Sequence, residues 1–137
     1  MKRTIREKMN PAYSLHDLDI VSMEMNGSDL IIKTDSGLIR MGQPNRQTDG
    51  HVEIHGVDWG YCYIYLFDFT GNVGPFGGEK KYLFSFLIER KGMSFSVADE
   101  VYGVNQTKYF GYLLTNGKRL ECIIEIHHEG DMVFVEE

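Results

Sequence analysis

The residues best spaced for chemistry are His51, Glu53 and His55. Alternate residues of an extended strand share one face, about 6.6 Å apart along the backbone, so these three side chains form a row. Two imidazoles and a carboxylate are donors that zinc and related divalent ions accept. Neighbours in the row can meet on one ion, whereas His51 and His55, ~13 Å apart, cannot easily share it. A metal-dependent enzyme would therefore need further ligands, and His16, Asp58, His127 and His128 supply the right types. The plainer reading is the polar face of an edge strand turned to water.

Other reactive groups lack partners in the sequence. His16-Asp17 pairs an imidazole with a carboxylate, but on a strand sequence neighbours point to opposite faces, and the same objection meets His127-His128. No serine sits in a Gly-x-Ser-x-Gly elbow. Cys62 and Cys122 fall on apolar faces, where a thiol stays protonated and inert; a disulfide between them requires neighbouring strands. The glycines from Gly71 to Gly78 lack the Gly-Lys-Ser/Thr ending and following helix of a phosphate loop. Asp17, Asp19, Asp68, Asp99 and Glu100 are scattered, and no acid–base pair stands out. No cofactor is implied.

A second group of residues suits binding. Extended, the stretch from Trp59 to Asp68 places Trp59, Tyr61, Tyr63, Tyr65 and Phe67 on one face, with Cys62, Ile64 and Leu66 on the other. Such a strand is covered on both sides and is expected in the middle of a sheet. Tyr82 to Glu89 repeats the pattern, with Tyr82, Phe84, Phe86 and Ile88 in one row. Aromatic rows stack bases or sugars, pack as core, or are buried by a second subunit. Tyrosine hydroxyls need water or partners, so this row suits an interface or the lip of a wet cavity. Trp59, Tyr61, Tyr63, Tyr65 and Tyr82, with Phe76 in the glycine-rich loop of residues 70–80, are the candidate binding residues.

These rows need a frame of strands. Asn26-Gly27, Asp35-Ser36-Gly37, Lys91-Gly92, Asn116-Gly117 and Glu129-Gly130-Asp131 punctuate short apolar runs at roughly even spacing. The chain reads as one all-β domain over residues 1–137, an antiparallel meander of nine or ten short strands. The meander closes as a β-sandwich or flattened barrel. No stretch reads as a convincing helix. Residues 1–13 form a charged arm, frayed or one short helical turn, and residues 42–50 a polar loop.

Composition limits the partners. Hydrophobic residues make up 42 % of the 137, enough for a core without disulfides or metal. With 14 Lys and Arg against 20 Asp and Glu, the net charge of -6 disfavours nucleic acid and anionic membranes. No apolar run spans a bilayer and no signal peptide is legible, so a cytoplasmic protein is expected.

Ser14-Leu15-His16-Asp17, leading through a Gly-containing turn to Leu30-Ile31-Ile32, together with the closing Gly130-Asp131-Met132-Val133-Phe134-Val135, resembles small bacterial all-β domains of unknown function, some of them similar to immunity proteins of contact-dependent toxins. The resemblance implies a non-enzymatic binding protein. Three readings follow: an interaction module that binds a protein partner or a second copy of itself, a small-ligand barrel with the aromatic row inside, and a metal enzyme built on His51 and Glu53.

Overall fold

The computed structural model describes residues 1–68, 77–90 and 92–137. Among them are thirteen strands, one 3-10 turn and one short α-helix. In chain order the strands are β1 (Lys2–Ile5), β2 (Tyr13–Ser14), β3 (Asp19–Asn26), β4 (Asp29–Thr34), β5 (Leu38–Arg40), β6 (Arg46–Thr48), β7 (Gly50–Ile54), β8 (Tyr63–Asp68), β9 (Gly77–Tyr82), β10 (Phe95–Gly103), β11 (Gln106–Thr115), β12 (Lys118–His127) and β13 (Met132–Glu136). The 3-10 turn is Trp59–Tyr61 and the helix, α1, is Leu83–Glu89. The fold is all-β and antiparallel and does not close into a barrel.

Ten strands form one sheet in the order β1-β13-β7-β4-β3-β10-β11-β12-β8-β9, and β2-β5-β6 form a second. Tight hairpins build the units. Asn116 and Gly117 both have positive φ (50° and 75°), as a two-residue turn between twisted strands requires, and join β11 to β12 over ten paired residues.

The large sheet folds over on itself. β13 and β11 lie five strands apart, ~24 Å if the sheet were flat. Yet the Thr107 hydroxyl is 3.7 Å from the Met132 sulfur. The bend falls where β3 meets β10, a junction of only two residue pairs, Phe95 with Ile20 and Ser96 with Asp19. A bulge interrupts each strand there, between Ile20 and Ser22 on β3 and between Val97 and Asp99 on β10. Extra residues bend a strand and raise its twist. Gly111 faces the β10 bulge, where any Cβ would collide with the Ser96 carbonyl.

One core fills the fold. Leu30, Ile32, Val52, Ile54 and Phe134 come from one half and Phe95, Tyr109, Leu113, Cys122, Ile124 and Ile126 from the other, all fully buried. The small sheet closes one end. The Tyr13 ring packs 5.3 Å from Phe134 and its hydroxyl donates to Glu136, while Ser14 and the Leu15 amide donate to Glu100 on β10.

Five expectations need correction. The stretch from Trp59 is not one strand: its first three residues form a 3-10 turn in which the Tyr61 amide donates to the Asp58 carbonyl. The strand proper begins at Tyr63 and lies second from the sheet edge, not at its middle. Of residues 82–89 only Tyr82 is strand, the last residue of β9; the rest form α1. Leu83, Phe86 and Leu87 are buried on one side of α1, a spacing of three and four that coexists in this sequence with an alternating pattern. The glycine-rich loop is partly strand, since β9 begins at Gly77; Phe76 and the rest of that loop lie outside the described residues. Finally, the N-terminal arm is strand β1, paired with β13 from Lys2 to Ile5, and the polar loop contains β6.

Candidate functional site

At the β8–β9 end of the sheet most of the candidate aromatic residues come together. Tyr63 and Tyr65 keep the spacing of a strand face, with ring centroids 6.3 Å apart. Tyr82 lies opposite Tyr63 in register, and the two rings stack at 5.3 Å. Lys80 sits 4.0 Å above the Tyr63 ring and 5.6 Å from that of Tyr65, a cation on two π-faces. The 3-10 turn brings Tyr61 beside His127, 6.4 Å between rings. It also carries Trp59 round to meet Phe84 of α1 edge-on at 6.0 Å. A shallow groove runs between Trp59, Gly60, Tyr82, Phe84 and Ser85.

Trp59 is half-buried against the core, but the residues around it are open. Tyr61 is 62 % exposed, Tyr82 54 %, Phe84 44 % and Ile88, one helical turn beyond Phe84, 59 %. The aliphatic side of β8 behaves as expected: Cys62 and Ile64 are fully buried. The same end holds a carboxylate. The Tyr65 hydroxyl donates to Glu125 at 2.8 Å, with His127 at 3.4 Å and Lys108 at 3.7 Å. Burial pushes the Glu125 carboxyl up, but its partners Tyr65, His127 and Lys108 outweigh burial and hold it below the ordinary value. Burial and the Glu125 contact push the Tyr65 phenol up to about 12.

His51, Glu53 and His55 do share one face, and they meet on Glu53. His51 Nε2 lies 3.1 Å from one carboxylate oxygen and His55 Nε2 3.3 Å from the other. Arg3 holds both oxygens, at 3.1 and 2.7 Å. Strand β1 makes this possible: Arg3 pairs with Val135, and Val135 with His51, so all three lie in one row. The hydrogen bonds from Arg3 hold the Glu53 carboxyl down to about 2; burial opposes the shift, and His51 adds to it. Asp29 meets His55 at 3.2 Å and Glu137 meets His51 at 3.7 Å. A guanidinium thus stands where a metal ion would approach Glu53, and its charge opposes one. Among the described residues no group of three or more His, Cys, Asp or Glu is arranged to hold a metal ion.

The remaining candidates lie elsewhere. His16 and Asp17 do meet, at 3.2 Å. They sit in a turn where Asp17 has φ 65°, so the rule for strand neighbours does not apply, but both are open to solvent. His127 and His128 diverge as expected, the first toward Glu125 and the second toward Thr107. Cys62 and Cys122 are free and buried. Their strands are neighbours, but Cys122 faces Leu66 rather than Cys62. Burial pushes the Cys62 thiol up to about 11 and Cys122 to about 12, far from the thiolate a nucleophile needs.

Two participants, Arg3 and Lys80, were invisible to sequence reasoning, and the alternating pattern puts Phe84 in the aromatic row but on a strand. Arg3 reaches Glu53 only because β1 pairs with β13. Lys80 and Phe84 join the aromatic surface through β9 and α1; the helical spacing of Leu83, Phe86 and Leu87 was the signal that Phe84 faces outward. No family model, curated protein or solved structure matches this chain. Among the described residues no helix is long and apolar enough to cross a membrane.

Proposed function

We propose that this chain is a non-catalytic interaction module that docks a protein partner on the surface formed by the 3-10 turn, β9 and α1. The observation that carries this reading is the grouping of Trp59, Tyr61, Tyr82, Phe84 and Ile88, from three elements, at a water-facing end of the sheet. Exposed aromatic groups rimmed by polar residues mark interaction sites, and Trp and Tyr dominate the energetics of such interfaces. The groups that could run chemistry are occupied elsewhere: Glu53 by Arg3 and two histidines, Glu125 by Tyr65, His127 and Lys108, and the thiols by burial. The likeness of the first and last segments to immunity-type domains fits a protein that acts by covering a partner's surface.

Because the sheet is open, the aromatic row lines no barrel lumen, which removes the enclosure that the ligand-barrel reading needs. Self-association through the bare edge of β9 is opposed by Lys80 and Lys81, since edge lysines block strand-to-strand pairing. The test is a double substitution on α1, Phe84→Gln with Ile88→Gln. Sedimentation velocity and side-by-side affinity capture would compare it with the native chain. The reading expects a self-associated or captured species that the native chain forms and the folded double variant does not. Identical behaviour of the two proteins sinks it.

A further inference from the structure

A second region, where the residues after β1 meet the hairpin of β10 and β11, holds a cation without a counter-ion. Arg6 follows β1, and its terminal nitrogens touch only neutral acceptors: the Thr107 hydroxyl at 3.3 Å, the Met132 sulfur at 3.8 Å and the Gly103 carbonyl at 3.5 Å. Its Nε is enclosed and has no hydrogen-bond partner. The guanidinium lies 4.5 Å from the centre of the Tyr102 ring. No carboxylate lies within ion-pair distance of Arg6 or of Lys8 among the described residues.

The neighbouring histidine does not change that balance. His128 Nδ1 is 2.9 Å from the Gly130 carbonyl, which can only accept, so Nδ1 carries the proton. Nε2 then accepts from the Thr107 hydroxyl at 2.9 Å. Burial disfavours a second proton on the ring. Thr107 is thereby committed: it accepts from Arg6 and donates to His128. The chain of contacts fixes the guanidinium in place but supplies no negative charge.

Beside Arg6 opens a cavity of about 370 Å³, lined by Arg6, Lys8, Tyr102, Asn105, His128 and Met132 among others. That volume lies at the lower end of the range for small-molecule sites. Half-buried charges are ordinarily paired, because an unpaired one keeps its desolvation cost without return. We propose that this cavity binds a small molecule through an anionic head group, a carboxylate or a phosphate, seated against Arg6 and Lys8. Tyr102 and Met132 offer its body an apolar wall. Glu129 and Asp131 also line the cavity without pairing to Arg6 or Lys8, so the lining is neutral overall and suits a single anionic group seated on Arg6 rather than a polyanion such as nucleic acid.

The cavity shares no lining residue with the aromatic groove, so its test stands apart from that of the docking reading. Melting of the full chain would be followed in inorganic phosphate, in acetate and in chloride at matched ionic strength. The proposal expects a saturable rise in melting temperature with phosphate or with acetate beyond chloride, and the anion that gives it identifies the head group. Arg6→Gln should abolish the rise. Should that variant fail to fold, Lys8→Glu, at an exposed position, decides: apparent affinity should fall about two- to fivefold. A response no different from chloride, or one unchanged in a folded Arg6→Gln or in Lys8→Glu, overturns the proposal.

Discussion

Glu53 on β7 and Glu125 on β12 occupy comparable places, each on the outer face of its strand beside a histidine two residues away, yet their surroundings differ. Glu53 is held by a two-pronged guanidinium and two imidazoles, next to strands whose inner faces, Val52, Ile54 and Phe134, are wholly buried. Glu125 is held by a phenol, an imidazole and a distant ammonium, next to rings left in water. The first carboxylate ties strand β1 to the rest of the sheet across β13. The second orients one ring of an exposed surface. One end of the sheet is therefore organised to hold the fold together and the other to present side chains.

If that division is correct, the largest loss of stability lies at the β13 end. Phe134→Ala removes a fully buried ring that packs on Tyr13 and should cost about 3–5 kcal/mol in urea unfolding. A loss below about 1 kcal/mol would show that the β13 end is not where the fold is held, and the comparison would fail.

Acid should separate the two carboxylates. The Glu53 carboxyl is held down to about 2 from an ordinary 4.5, first by the hydrogen bonds from Arg3. A folded-state pKa below the unfolded one stabilises above pH 4.5, and that stabilisation is lost as pH falls through about 2. With screening allowed for, the loss should be about 1–3 kcal/mol, absent from Glu53→Gln. Equal acid sensitivity of the native chain and this variant would remove Glu53 from its assigned role. For Glu125 the matching change is smaller. Tyr65→Phe deletes the one short hydrogen bond to the carboxylate and should cost about 0.5–1.5 kcal/mol. Titration by NMR should show the Glu125 pKa rising in that variant; an unmoved pKa would mean that the phenol does not hold the carboxylate.

How far the sequence anticipated this division follows from the range of each interaction. Hairpins set by Asn-Gly turns and strands with one apolar face were legible, because turn chemistry and alternation are local. The shared face of His51, Glu53 and His55 was legible for the same reason. The partner they gather around was not, since Arg3, 50 residues from Glu53 in sequence, reaches it only through the pairing of the two chain ends. The aromatic stretch misled in an instructive way. Hydrophobic alternation from Trp59 to Phe67 and again from Tyr82 to Ile88 reads as strand. However, Leu83, Phe86 and Leu87 also satisfy a helical period, and α1 takes that alternative. Its Leu83 amide bonds to the Cys62 carbonyl, directly after the 3-10 turn that carries Trp59 toward Phe84. Two local departures from extended structure thus turned an expected central strand into a presenting surface.

The smallest effect on folding is expected where the proposed function predicts the largest effect on binding. Ile88 lies on the open side of α1, and glutamine is at least as good a helix former as isoleucine. Ile88→Gln should therefore change unfolding stability by no more than about 0.5 kcal/mol. If the surface docks a partner, the same substitution weakens that complex, because a polar amide replaces an apolar contact. A stability loss of several kcal/mol would instead mean that α1 is packed as part of the fold. The contrast between a supporting end and a presenting end would then lose its physical basis, since exposed rings next to a structurally required helix can be explained by packing alone.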